Sequence, residues 1–209
     1  MMARRLQRHP TLVILRQALQ RIPFQPLDVN CLNVLEYMGV PPRDAQHERV
    51  RAEVRSATPQ DLDGLTSCQH SPATFLKRFA ADDRCVVAIV DGRIAGYEWF
   101  CHRPCHVEER YAYRIDVAPD AIYAYDAFIR PEYRLMGIWL KFKSVYLREL
   151  MERSDKRRII TTIDSGNRLS MQTHLRFGFR ALRKVLVVKA CGRCVAHATT
   201  VPQDAGWTN

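Results

Sequence analysis

The hydrophobic pattern of the chain changes repeatedly between the period of a β-strand and that of an α-helix. Short apolar runs rich in β-branched and aromatic residues predict strands at 53–57, 84–90, 94–100, 111–117, 121–129, 158–163 and 179–189. Apolar positions three or four residues apart predict helices at 73–80, 138–153 and 167–177. In the last strand, the run Leu186-Val187-Val188 predicts burial on both faces.

Turn and capping residues mark the ends of several elements. Thr58 and Ser71 each precede a proline, and a capping residue followed by Pro at the first helical position predicts a helix start. Asp91-Gly92 separates two β-branched runs, which predicts a hairpin with a tight turn. The segment between residues 58 and 100 is therefore expected to contain two helices followed by a hairpin.

The two ends of the chain differ in character from the rest. Residues 1–53 form an N-terminal extension whose early arginines and leucines, up to Pro23, predict a basic amphipathic helix. Such a helix either lies on an anionic membrane or a partner, or packs on the domain with its arginines in solvent. Residues 30–38 are consistent with a short strand or a helix, and residues 191–209 with an irregular tail. One domain, 54–190, is expected between these ends.

The stretch from Ala121 to Leu150 combines a strand, a turn and a helix. An apolar and aromatic strand ends before Pro131, and Gly137 precedes apolar residues at helical spacing. The start of a helix offers N–H groups without intrahelical acceptors and a partial positive charge, and Arg130 and Arg134 lie beside it. The pattern predicts an anion site, typical of a pyrophosphate-bearing cofactor. The alternative is an ordinary connection with solvated arginines.

Two carboxylates lie inside predicted strands. Asp126 is in the middle of the central strand, where a carboxylate is costly unless it is hydrogen bonded or functional. Glu98 and Trp99 fall on opposite faces of their strand, because successive side chains alternate. Glu98 is therefore either a functional carboxylate or an edge residue that faces water.

A second motif follows the strand at 158–163. Asn167 is followed by Ser170 three residues on, by His174 seven residues on, and by Gly178-Phe179 eleven residues on. Together with the turn Arg134-Leu-Met-Gly-Ile-Trp, this spacing resembles the Gcn5-related N-acetyltransferase (GNAT) superfamily. The resemblance covers roughly residues 54–189, which is most of the chain.

The resemblance implies a fold and a cofactor. The fold is α/β, a GNAT fold with a mixed central β-sheet whose central strand is splayed and which helices flank. The cofactor is acetyl-CoA, a cosubstrate, with its pyrophosphate in the turn and its pantetheine along the strand and the later motif. The implied cofactor-binding residues are Phe128, Ile129, Arg134, Leu135, Met136, Gly137, Ile138, Trp139, Asn167 and Ser170.

The reaction that the resemblance implies is transfer of an acetyl group to a primary amine. The family has an acid for the leaving thiolate where His174 stands, and a backbone N–H near Ile129 would meet the tetrahedral intermediate. An amine is mostly protonated at neutral pH and needs a base, for which the candidates are Asp126, Glu98 and Glu132, in that order. His174 is otherwise a helix histidine whose hydrogen bonds a neighbour satisfies.

The sequence departs from the family pattern at three positions. Leu135 and Trp139 stand where small residues are usual, and glycine is what lets a backbone approach a phosphate closely. His174 stands where tyrosine is common. A catalytically weak module that binds CoA or a protein partner is therefore the alternative function.

Composition and charge narrow the choice of partners. With 209 residues, 47% of them hydrophobic and 26% charged, the chain is expected to be globular. The net charge of +10 is scattered and accompanies no nucleic-acid motif, so nucleic acid is not an expected partner. No apolar run reaches the length of a membrane span, and no signal peptide is evident. The expectation is a cytoplasmic enzyme, with a homodimer allowed.

The seven cysteines raise a metal alternative. Cys101 and Cys105-His106, with the pair Cys191 and Cys194, offer enough ligands for a zinc ion. Neither group has a partner at a standard spacing, so no metal is expected. The acceptor is expected to be a small-molecule or protein amine. The architecture also resembles GNAT members of bacterial polysaccharide clusters, which implies an amino-sugar acceptor.

Overall fold

The computed structural model describes residues 27–39, 50–153, 155–191 and 193–200. The predicted basic helix near the N-terminus lies outside these residues. The chain forms two compact units. Of the described residues, the central unit contains 37–39, 50–104, 117–153 and 155–161, and the terminal unit contains 27–36, 105–116, 162–191 and 193–200.

The described residues contain ten strands and four α-helices. In chain order they are β1 (Leu27–Tyr37), β2 (Glu53–Ser56), α1 (Leu62–Thr66), α2 (Pro72–Ala80), β3 (Arg84–Val90), β4 (Arg93–Cys101), β5 (Cys105–Glu108), β6 (Tyr113–Asp116), β7 (Ala121–Ile129), α3 (Ile138–Arg153), β8 (Arg158–Asp164), α4 (Arg168–Phe177), β9 (Arg180–Ala190) and β10 (Arg193–Thr200). Thr58 and Ser71 directly precede helical segments, as their residue types predicted. None of the helices seen in this part of the chain combines the length and apolarity that crossing a membrane requires.

The central unit is a mixed sheet with helices on both faces. Its strands lie in the order β8-β7-β4-β3-β2, with β7 and β8 parallel and the other pairs antiparallel. The side chain of Trp99 on β4 packs against Phe75 and Phe79 of α2. The neighbouring Glu98 instead reaches Lys143 of α3. The predicted alternation along β4 is confirmed, and it assigns α2 and α3 to opposite faces of the sheet.

The central strand, β7, departs from regular pairing on both of its edges. It pairs with β8 only over residues 121–124, although it continues to Ile129. On the β4 side, Tyr97 is opposite Phe128 while Trp99 is opposite Tyr125, so β7 contains one extra residue. This is a β-bulge, and Asp126 within it has a left-handed backbone with φ of 47°. β7 is therefore splayed from β8 in its second half.

The terminal unit contains the antiparallel strands β10-β9-β1, with the end of β8 beside β1. The β8 side is held by a hydrogen bond from the Ser165 backbone N–H to the Cys31 carbonyl, 2.8 Å long. β5 and β6 form a separate hairpin. Residues 30–38, which were consistent with either a strand or a helix, lie almost entirely in strand β1. The whole of β1 falls within the predicted N-terminal extension, residues 1–53.

Three expectations about the second half of the chain are wrong. The tail is not irregular throughout, because Arg193–Thr200 forms β10 against β9. Leu186 is 37% exposed while Val185 and Val187 are fully buried, so β9 is buried on one face there and not on both. The strand predicted at 111–117 is shorter, because Ala112 has a left-handed backbone and ends a turn. All seven cysteines are free of disulfides.

Candidate functional site

The connection between β7 and α3 is built as an open turn. A single 3₁₀ turn, Pro131–Tyr133, follows β7 and leads to two left-handed residues, Leu135 with φ of 62° and Gly137 with φ of 87°. Glycine adopts this conformation readily, whereas leucine is strained there by about 1–3 kcal/mol. Leu135 is also 77% exposed, so no buried contact accounts for its conformation. The conformation of Leu135 is therefore set by the path of the turn and not by packing of its side chain.

The helix start in this turn presents backbone donors. The first intrahelical hydrogen bond of α3 is donated by Lys141 to the Gly137 carbonyl, 3.1 Å away. The N–H groups of the three residues between them have no acceptor within the helix and lie at its positive end. Exposed Arg134 donates from Nε to the Ile129 carbonyl at 3.2 Å, which holds its guanidinium at the mouth of the turn. An anionic group suits this arrangement.

Arg130, the other arginine of the predicted anion site, is committed to protein contacts. Its Nε donates to the Ile94 carbonyl at 2.7 Å, and its terminal nitrogen donates to Ser67 Oγ at 2.6 Å. These bonds fasten the beginning of the turn to β4 and to the residue after α1. Arg130 therefore positions the turn, while Arg134 is the arginine that faces solvent.

The end of β7 lies tightly against β4. Gly96 is opposite Ile129, and a Cβ atom at Gly96 would come within 2.5 Å of both the Phe128 carbonyl oxygen and an Ile129 side-chain carbon. Only glycine permits this approach. The Phe128 ring stacks on Tyr97 at 5.9 Å between centroids. Both residues predicted to lie along the cofactor are thereby fixed by β4.

Glu98 lies in the core under α3. Its Oε1 accepts a hydrogen bond from Lys143 Nζ at 2.5 Å, and the two side chains are 2% and 0% exposed. Burial raises the pKa of Glu98 and lowers the pKa of Lys143. The Lys143 ammonium also lies 5.1 Å from the centre of the Trp139 ring, so the Trp139 side chain packs against the Lys143 side chain along α3. Of the two alternatives for Glu98, the edge residue that faces water is therefore wrong. Glu98 and Asp126 are on opposite faces of the sheet.

Asp126 is the centre of a polar cluster on the α2 face. Its carboxylate, 17% exposed, accepts hydrogen bonds from Gln69 Nε2 at 2.9 Å and Tyr97 Oη at 3.3 Å, and it pairs with Arg78. His70 Nε2 lies 3.2 Å from one carboxylate oxygen and 3.1 Å from the other. The bulge turns Asp126 toward these groups. A carboxylate in a central strand is thus hydrogen bonded on both oxygens.

Arg78 is held in a box of aromatic rings. Its guanidinium carbon lies between 5.2 and 5.8 Å from three ring centres, those of Phe75, Trp99 and Tyr125. Its side chain is only 15% exposed. A guanidinium that is desolvated over aromatic faces is held firmly in place. Arg78 therefore fixes the position of the Asp126 carboxylate.

Two tyrosines next to this cluster remain protonated. Tyr125 Oη donates to Asp83 Oδ2 at 2.7 Å, and both Asp83 oxygens accept from Arg103 at 2.8 and 2.9 Å. Burial raises the pKa of Tyr125 and of Tyr97 well above the usual range, and a neighbouring carboxylate adds to each shift. Their hydroxyls are therefore hydrogen-bond donors and not bases at physiological pH.

Asn167, Ser170 and His174 lie together on α4 in the terminal unit. The Asn167 side chain accepts from the Ser170 backbone N–H at 3.1 Å, so the first two residues of the motif form a helix cap. His174 is 6% exposed, its Nδ1 lies 2.8 Å from the Ser170 carbonyl, and its ring meets Phe179 edge-on at 5.0 Å. The roles that the resemblance implies for these residues stay predictions.

Replacing His174 by phenylalanine tests one of these roles by itself. Phenylalanine keeps an aromatic ring beside Phe179 and removes both ring nitrogens, including the one next to the Ser170 carbonyl. If His174 protonates the leaving thiolate, we expect kcat to fall about 100-fold. The affinity for acetyl-CoA, measured by calorimetry, should change by less than about threefold. Unchanged kcat would remove His174 from the mechanism.

Sequence reasoning missed Gln69, His70 and Arg78. All three come from the loop and helix between residues 66 and 80, and Asp126 lies 48 to 57 residues further on. The only local signal was that Arg78 is three residues after Phe75 in an amphipathic helix, which brings a charge onto the apolar face. Pairing such a charge with Asp126 requires the tertiary structure.

No model of a known protein family matches the chain, and no curated protein matches it. Solved structures do. A protein from Novosphingobium aromaticivorans, ascribed to the GNAT family of acetyltransferases, is 19% identical to this chain. The match covers 78% of this chain and 66% of that protein, with a TM-score of 0.55. A conserved protein of unknown function from Staphylococcus epidermidis is 13% identical, over 87% and 67%, with a TM-score of 0.54. The aminoglycoside N-acetyltransferase AAC(6')-Iy, bound to CoA-S-monomethyl-acetylneamine, is 18% identical, over 62% and 91%, with a TM-score of 0.51.

At these identities the similarity establishes the fold. The chain has the mixed α/β fold of the GNAT acetyltransferases, with a large mixed sheet flanked by helices, as the two motifs predicted. It spans about two thirds of the length of the first two of these proteins. The neighbours differ in what is known of them, since one has no known function.

Proposed function

We propose that the protein transfers an acetyl group from acetyl-CoA to a primary amine. The observation that carries this proposal is the course of β7. The strand leaves β8 after Ala124, bulges at Asp126, and leads within nine residues of Ile129 to a turn with an exposed arginine and a helix start. A thioester beside the free edge of the strand, with its phosphates in the turn, fits these features. Neighbours with this fold include an enzyme bound to a CoA derivative.

The turn supplies the chemistry that a pyrophosphate requires. Arg134 contributes charge, and the start of α3 contributes backbone N–H groups at its positive end. The Met136 N–H donates instead to the Tyr133 carbonyl, 3.4 Å away. The left-handed residues open the backbone so that anions can approach it. Phe128 and Ile129 border the path of the pantetheine. Asn167 and Ser170 are proposed, from the resemblance alone, to contact the same cofactor.

The amine acceptor is proposed to enter on the α2 face, where Asp126 lies. A backbone N–H near Ile129 would stabilise the oxyanion of the tetrahedral intermediate. The acceptor class that we propose is a small-molecule amine such as an amino sugar. This proposal draws on the resemblance to polysaccharide-cluster enzymes and on AAC(6')-Iy, whose bound analogue joins CoA to acetylneamine.

Glu98 is assigned a supporting role. Its carboxylate is buried on the α3 face and neutralised by Lys143, so an acceptor amine on the other face does not reach it. We propose that the ion pair anchors α3, and with it the helix start at the turn. Asp126 remains the candidate carboxylate for the reaction.

The experiment is an acetylation assay with acetyl-CoA and three amines, namely neamine, glucosamine and a lysine-containing peptide. Release of free thiol and the mass of the product are followed together. We expect one acetylated amine for each thiol released. Binding of acetyl-CoA without modification of any amine would support the binding module instead. Absence of acetyl-CoA binding would contradict both the enzyme and the CoA-binding module, and it would favour the module that binds a protein partner.

A further inference from the structure

We infer that His70 is the base that removes a proton from the acceptor amine, with Asp126 as the residue that orients it. The inference rests on the proposed function. His70 lies in the loop between α1 and α2, and its Nε2 is within 3.2 Å of both Asp126 oxygens. A histidine oriented by a carboxylate is the arrangement that many enzymes use to make imidazole a base.

The geometry selects one tautomer of His70. Asp126 is an acceptor, so Nε2 must carry the hydrogen of this contact. Nδ1 then keeps its lone pair, and within the part of the chain that the structure describes it has no hydrogen-bond partner. The side chain is 37% exposed, so the imidazole ring is in contact with solvent. The ring meets Phe75 edge-on at 5.8 Å, which fixes its plane.

Both members of the pair are held in unfavourable backbone conformations. His70 has φ of 66° and Asp126 has φ of 47°, and each left-handed non-glycine residue is unfavourable. Surrounding bonds maintain them, since Gln69 and Arg78 both bind the same carboxylate. The contact between the two side chains therefore joins two positions that the surrounding structure holds in place.

Arg78 explains why Asp126 would not be the base. The guanidinium pairs directly with the carboxylate, and Gln69 and Tyr97 occupy further lone pairs. An acceptor amine would have to displace one of these partners to reach a carboxylate oxygen. The exposed imidazole is the group of the cluster with an unused acceptor atom. Asp126 is therefore a positioning residue.

The proposed reaction starts from the acceptor in its ammonium form and from acetyl-CoA. The ammonium form of the acceptor gives one proton to His70 Nδ1, and the Asp126 carboxylate stabilises the imidazolium. The neutral amine attacks the thioester carbonyl carbon, forming the C–N bond. The C–S bond then breaks, and the amine nitrogen loses its second proton as the CoA thiolate becomes a thiol. His70 returns its proton to solvent, so the products are the amide, the thiol and one proton.

The test combines His70→Gly with rescue by added imidazole, in the acetylation assay described above. Glycine accepts the backbone conformation at this position and leaves space for a free imidazole. We expect kcat to fall about 100-fold while acetyl-CoA affinity stays within about twofold. Added imidazole should restore at least about a tenth of the lost rate, and more basic imidazoles should restore more. His197→Ala, a histidine deletion in the terminal unit, is the matched control and should retain the wild-type rate.

Each outcome separates the inference from the proposed function. A wild-type rate in His70→Gly, with the wild type active, would overturn the role of His70 and leave the acetyltransferase standing. A slow variant that imidazole does not rescue would also overturn it, since a structural role predicts that result. If the wild type acetylates none of the three amines, the proposed function fails and the inference fails with it.

A spectroscopic measurement tests the geometry without any substrate. Nitrogen NMR of labelled protein reports which ring nitrogen of His70 carries the hydrogen. We expect hydrogen on Nε2 in the wild type, and loss of this preference in Asp126→Asn, whose amide offers a donor as well as an acceptor. Hydrogen on Nδ1 in the wild type would overturn the inference.

Discussion

Replacing Arg134 by alanine and Gly137 by aspartate together should weaken acetyl-CoA binding by about 100-fold or more. The guanidinium contributes a charge-assisted hydrogen bond to a phosphate, worth about 1.5–3 kcal/mol. At Gly137, φ is 87°, so a side chain there adds backbone strain of about 1–3 kcal/mol. Aspartate also brings a negative charge to the place proposed for the phosphates. Calorimetry with wild type and variant measures the loss directly.

The same turn provides a matched control in Leu135→Gly. This substitution changes the neighbouring left-handed residue but adds no charge, and it relieves the strain of leucine at φ of 62°. The affinity of Leu135→Gly for acetyl-CoA should equal or exceed that of the wild type. If the double variant binds as tightly as the wild type, the pyrophosphate does not lie in this turn. Thermal unfolding of both variants shows whether either has lost its fold.

Replacing Lys143 by methionine should lower the free energy of unfolding by about 3–5 kcal/mol. The methionine fits the space beside Phe100 and Trp139, but it leaves Glu98 buried without a counter-charge. The loss should be largest at neutral pH. Since burial raises the pKa of Glu98, the deficit should shrink as the pH falls toward 4 and the carboxyl takes up a proton.

The double variant Glu98→Gln, Lys143→Met distinguishes charge from packing. It removes both charges, and replacing a buried ion pair by uncharged groups is often close to neutral. Its unfolding free energy in urea should therefore exceed that of Lys143→Met by about 2 kcal/mol or more. A deficit as large in the double variant as in the single one would show that the Lys143 side chain stabilises α3 by packing alone.

Local patterns predicted most of the elements because local chemistry decides them. The β-branched run at 84–90 and the Asp91-Gly92 turn formed the expected hairpin, and the helix from Ile138 has the predicted ends. β10 was missed because it is mostly exposed: the residues from Ala196 to Thr200 are all solvent accessible, so no apolar alternation marks them. Its pairing with β9, and not its own sequence, makes it a strand.

The candidate site was predictable only in part. Features within one contiguous segment could be predicted, whereas contacts between residues far apart in the sequence could not. The turn from Arg134 to Gly137 is one contiguous segment, so its residue types alone indicated an anion site. Glu98 was correctly placed on the face opposite Trp99, yet its partner Lys143 lies 45 residues away and is a residue type normally found at the surface. His70 carries no local mark, because its only special features are its backbone conformation and its contact with Asp126.

The bulge in β7 changes the parity of the strand. In a regular strand, residues three apart point to opposite faces, but Tyr125 and Phe128 are opposite Trp99 and Tyr97, which share a face. The extra residue therefore acts as a phase shift: everything after it points the other way from where simple counting would put it. Deleting one residue between Tyr125 and Phe128 would restore even counting and turn the last residues of β7 over, while leaving the composition of the strand almost unchanged. Insertions and deletions here should consequently be tolerated far less than substitutions.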